Sequence, residues 1–122
     1  MTILKEQLFS ELRLRGYRVV HATDKKQGWQ KDSDRPVYVN LKSVSGKSVM
    51  VVHPDVNAPQ LACEDEGSSC GNTWFHSSNL KLYPKRQHGG MNAISYGWPI
   101  TFDSEAAMKS FMTRLEMETS AG

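Results

Sequence analysis

Cys63, Cys70 and His76 stand in the order Cys-x6-Cys-x5-His, and His53 or His88 could complete a tetrahedral set. Structural zinc sites usually hold their cysteines in pairs two to four residues apart on tight turns, and this spacing is looser. The sequence therefore predicts no metal and no cofactor, with Cys63 and Cys70 as free thiols. A disulfide between them is a third arrangement, disfavoured in a reducing cytosol. Nucleophilic catalysis would need one thiol beside a histidine. Instead "CEDEGSSC" surrounds both with carboxylates, which raise a thiol's pKa and suppress the thiolate. "SGKS" lacks the first glycine of a phosphate loop, and no helical pattern follows it. No paired-carboxylate or Ser-His-Asp pattern is legible, so the expectation is a non-enzymatic protein.

Two other constellations could do chemistry. His53 follows the apolar run Val49-Met50-Val51-Val52, and Asn40 lies in the strand expected to pair with it. The two are either a polar pair capping a sheet edge or the polar floor of a pocket walled by Tyr38, Tyr96 and Trp98. The second is "HSSNLKLYPKRQHGG", which places Lys81, Lys85 and Arg86 within six residues, followed by His88, with no acid between His76 and Phe102. Lysine and arginine neutralise phosphates, and an exposed Tyr96 or Trp98 can stack on bases. The leading expectation is a binding protein that docks an anionic or macromolecular partner, nucleic acid or protein, through Lys81, Lys85, Arg86, His88 and Trp98. The alternative is a small-ligand or enzymatic pocket built on Asn40, His53, Tyr96 and Trp98.

The elements that must position these residues read as one α+β domain over residues 1–122. Leu4, Leu8 and Leu12, with Phe9 beside them, form one helical stripe, with Thr2 as N-cap and Gly16 just past the end. "YRVVHAT" is a strand, "DKKQG" a turn, and Trp29 begins a short second strand. Val37, Val39 and Leu41 alternate with Tyr38, Asn40 and Lys42, and Ser45-Gly46 turns this strand back into Val49–His53. Residues 55–72 read as a long acidic loop, Thr73 to Phe75 as a short strand, "KRQHGGMN" as a loop and "AISYGWPITF" as extended. Asp103 or Ser104 caps a last helix whose stripe is Met108, Phe111, Met112 and Leu115. The architecture expected is a mostly antiparallel sheet of four to five strands with an N-terminal and a C-terminal helix.

Composition agrees with that class. The chain has 122 residues, 39% hydrophobic and 23% charged, near the globular average. Net charge is +2, but it is distributed in blocks: +5 over residues 1–53, −4 over 54–75, +3 over 76–102 and −2 over 103–122. Such blocks fit either an anion-binding face beside an acidic loop or ordinary solvated surface. No apolar run is long enough to span a bilayer, and charges at Lys5, Glu6 and Glu11 interrupt the first residues where a secretion signal would be apolar. A soluble cytoplasmic protein with no membrane partner is expected.

"PVYVN" at 36–40, "VVHP" at 51–54 and "YGWPITFDSEAAMKSFM" at 96–112 resemble the small enterobacterial YgaC-type proteins, bacterial proteins of unknown function and similar length. Tyr38, Val39, Asn40, His53, Pro54, Tyr96, Gly97, Pro99, Phe102, Ser104 and Ala107 carry the resemblance. It implies a small cytoplasmic α/β protein and brings no activity with it. The segment holding Cys63 and Cys70 has no counterpart in that pattern.

Overall fold

The structure, a computed structural model, describes residues 5–32, 35–41, 49–63, 67–71, 74–77, 79–88 and 92–121. Leu8 and Leu12 lie one turn apart on α1 (Lys5–Leu14), and both are fully enclosed, as their spacing predicts. Gly16 follows with φ +94°, the left-handed conformation that ends a helix at least cost when there is no Cβ. The expected N-cap Thr2, and Leu4, lie outside the described residues.

Four strands follow, β1 (Arg18–Ala22), β2 (Lys26–Gln30), β3 (Val37–Asn40) and β4 (Met50–Val52). Each pairs antiparallel with the next. The expected turn over "DKKQG" is shorter than read, because the chain is already extended at Lys26. The Thr23 hydroxyl makes that turn compact by accepting from the Lys25 and Lys26 amides. The Ser45-Gly46 turn lies outside the described residues.

The expected long loop at 55–72 contains α2 (Ala58–Cys63) and β5 (Ser68–Cys70). A six-residue helix and a three-residue strand are too short to show a period, which is why the sequence pattern lapses there. Gly67, at φ +94°, turns the chain into β5, and a Cβ there would stand 3.1 Å from the Ala107 Cβ. Beyond lie β6 (Phe75–His76), β7 (Lys85–His88), β8 (Asn92–Phe102) and α3 (Glu105–Ala121). "KRQHGGMN", expected as a loop, is thus partly strand: Lys85 to His88 pair with Ser95 to Asn92. Among the described residues the sheet has eight strands in the order β1-β2-β3-β4-β8-β5, with β6 and β7 also paired to β8. That exceeds the expected four to five, because the eleven-residue β8 serves as a rail on which short strands dock.

Both faces of the sheet are covered. On one, Val37, Val39, Met50, Val52, Ile100 and Phe102 meet Leu8, Leu12, Leu61 and the α3 stripe Met108, Phe111, Met112 and Leu115. That stripe is buried as its periodicity predicts, and Ser104 starts the helix by accepting from the Ala107 amide at 3.1 Å. On the other face Tyr38 and Val51 pack against Leu80 and Tyr83, from the segment between β6 and β7. Arg15 ties α1 to α3: its guanidinium reaches Glu11, Glu116, the Thr113 hydroxyl and the Lys109 carbonyl. Among the described residues, no helix is long and apolar enough to cross a membrane.

Candidate functional site

Side chains alternate along a strand, so Tyr96 and Trp98 project from one face of β8 while Ser95 and Gly97 project from the other. Trp74, just before β6, lies on the first face. Its ring centroid is 3.8 Å from that of Trp98, and it meets Tyr96 edge-to-face at 4.9 Å. His76 pairs with Tyr96 across β6 and β8, and its ring stacks on Tyr96 with centroids 6.0 Å apart. Arg86 pairs with Ile94, one diagonal step from Tyr96, and its guanidinium carbon stands 5.6 Å from the Tyr96 ring and 6.0 Å from Trp74. The three large residues are half-buried, so each keeps part of its surface in solvent. A cluster of this kind offers stacking area and one cation at low conformational-entropy cost.

Trp98 joins this cluster to a cleft of about 400 Å³ lined by Pro59, Ala62 and Cys63 of α2, by Ser68 to Cys70 of β5, and by Gly71. Both thiols therefore face one cleft. Burial, with the neighbouring Cys63 adding to it, pushes the Cys70 thiol up to about 11, which keeps it protonated at neutral pH. His76 lies instead against Tyr96. Among the described residues, no three His, Cys, Asp or Glu side chains are grouped as a metal would require.

The basic run is divided by the same alternation. Lys85 pairs with Ser95, so it takes the side opposite Arg86. Lys81 and Lys85 line a separate cleft of about 260 Å³ with Ala93, Ile94 and Ser95. His88 closes β7 opposite Asn92. Of the partner-binding residues expected from the sequence, Arg86 and Trp98 are brought to one face, while Lys81 and Lys85 are placed on another.

The residues of the expected pocket do not converge. Asn40 lies level with Val49, whose carbonyl accepts from its amide at 2.8 Å, whereas His53 extends β4 beyond Val52, which pairs with Val37. The antiparallel register thus puts Asn40 at the turn end of the hairpin and His53 at the open end, about 13 Å along the strand. His53 packs its ring on Tyr83 and its Nδ1 accepts from the Asp55 amide at 3.1 Å. Burial lowers its proton affinity, opposed by Asp55. Tyr38, expected as a pocket wall, is fully enclosed in the second core. Its hydroxyl accepts from the Leu82 amide at 3.1 Å and lies 3.0 Å from His21 Nδ1.

Sequence reasoning missed Trp74 and His76 as members of the aromatic face. The signal was present in Trp74-x-His76 and Tyr96-x-Trp98, two aromatic pairs each spaced by two, which on paired strands share a face. Comparison with curated proteins gives no match. The family model of DUF2002, described as a protein of unknown function, matches residues 1–116, and the chain belongs to that family.

Proposed function

We propose that the protein is a non-enzymatic binding module that takes single-stranded nucleic acid on the aromatic face of β6, β7 and β8. The observation that carries this reading is the convergence of Trp74, Tyr96, Trp98 and Arg86 on one half-exposed surface. Stacking a base on an aromatic side chain is worth about 1–3 kcal/mol and is indifferent to base identity. A guanidinium beside the rings supplies a contact for the phosphate that links stacked bases. The pocket alternative built on Asn40, His53, Tyr96 and Trp98 loses its support, because the hairpin register and strand alternation separate its members. Within the same reading the chain is a cytoplasmic, YgaC-type bacterial protein. The positions that carry that resemblance are largely structural: Tyr38, Val39, Gly97, Phe102 and Ala107 are buried.

The division of the basic run changes what salt should do. Three phosphate contacts on a single strand would give a log–log slope of about −2, but Arg86 alone gives about −0.7. The test is titration of a fluorescent single-stranded oligonucleotide at several salt concentrations. A shallow slope is expected, with Trp98→Ala weakening binding by roughly 1–3 kcal/mol and Arg86→Ala removing most of the salt dependence. No binding at low salt would remove nucleic acid and favour a protein partner on the same face.

A further inference from the structure

The opposite side of the β7–β8 hairpin carries a second set of polar groups. Lys85 and Ser95 face each other in register, so their side chains share one side of the hairpin. Lys81 joins them at the cleft of about 260 Å³. Neither lysine makes an ion pair among the described residues. Ser95 is 2% exposed. Its carbonyl accepts from the Ser77 amide, and its side chain lies on the same side of the hairpin as Lys85. Two cations and a hydroxyl at one cleft, with no carboxylate among its described lining residues, suit an anion.

We propose that this cleft binds a phosphate monoester. The Lys81 and Lys85 ammonium groups donate to two phosphate oxygens, and the Ser95 hydroxyl donates to a third from the floor. The volume exceeds what an inorganic anion fills, and Ala93, on the same side of β8 as Ser95, supplies an apolar wall for a small organic group. The pocket lies on the side of β8 away from Trp74, Tyr96 and Trp98, so it goes beyond the nucleic-acid reading and does not depend on it.

The experiment is a backbone-amide NMR titration at constant ionic strength with inorganic phosphate, glycerol phosphate and a 5′-phosphorylated oligonucleotide, with sodium chloride as the control. Saturable shifts at Ala93, Ile94 and Ser95 are expected, with glycerol phosphate binding more tightly than inorganic phosphate and with a Kd below about 10 mM. Lys81→Ala and Lys85→Ala should each weaken binding about tenfold, as for loss of one charge-assisted bond. Ser95→Ala should weaken it by a smaller factor than either lysine variant, as for loss of one neutral hydrogen bond. Arg86→Ala and Trp98→Ala should leave phosphate binding intact, which separates this pocket from the aromatic face. Tighter binding of the oligonucleotide than of glycerol phosphate identifies a terminal nucleic-acid phosphate as the source of the monoester. The reverse order identifies a free metabolite. Non-saturating shifts, the same shifts with chloride, or lysine variants that bind like the parent would overturn the proposal.

Discussion

At Gly97, β8 passes tightly against its neighbours. A Cβ there would stand 2.5 Å from the Val52 carbonyl oxygen, 2.8 Å from Val51 Cγ1 and 3.0 Å from Tyr83 Cε2. The first obstacle is backbone and the others are enclosed side chains, so none can step aside freely. Gly97→Ala should therefore cost about 1–3 kcal/mol or more, read by chemical denaturation; a variant as stable as the parent would contradict this close approach. His53 carries a pH dependence of known sign. Burial holds its folded pKa below the ordinary 6.5. As pH falls, the unfolded chain takes the proton first, so the stability from neutral His53 is full above 6.5 and is lost as pH falls towards the folded value. His53→Asn, whose amide oxygen can replace Nδ1 as acceptor for the Asp55 amide, should flatten that part of a stability profile measured between about pH 5 and 8. At this scale the sequence named His53 correctly as a polar group at a strand end but joined it to Asn40. Pairing residues across a hairpin needs the register, which Ser45-Gly46 alone does not define.

At the scale of elements, α3 was legible because its pattern is long. Four apolar positions recur over two turns behind a Ser104 cap, and the burial follows them. Phe111 is fully enclosed and packs against Phe102 at 5.5 Å, so Phe111→Ala should cost roughly 3–5 kcal/mol. Thermal or denaturant unfolding measures this, and a loss within error would mean that α3 does not seal the core. The hairpin of β3 and β4 was legible from composition, because these strands, although only four and three residues long, are rich in valine and flank a Ser-Gly turn signal. α2, β5 and β7 were not, because each lacks such an apolar run and is held in place by its neighbour β8 or α3 rather than by its own pattern. Tertiary contact, not local propensity, decides such pieces.

Across the whole molecule, the sheet is covered on both faces, by three helices on one and by Leu80 and Tyr83 on the other. A period-two pattern reads as half-buried, which is why Tyr38 looked free to line a pocket although it is a core residue. The same two-sidedness separates the groups that chemistry could use: aromatic rings with Arg86 on one side of β8, and Lys81, Lys85 and Ser95 on the other. The candidate site was thus half legible. Its aromatic and basic residue types were visible in the chain, while their division between two faces depends on β7 being a strand. The central claim is that bases stack on Trp74, Tyr96 and Trp98, and it is tested most directly by comparing a single-stranded oligonucleotide with an abasic strand of equal length and charge. The account predicts that removing the bases weakens binding at least about fivefold, since even one lost stack is worth about 1–3 kcal/mol. Equal affinity for the two strands would contradict it, because charge alone would then account for the binding.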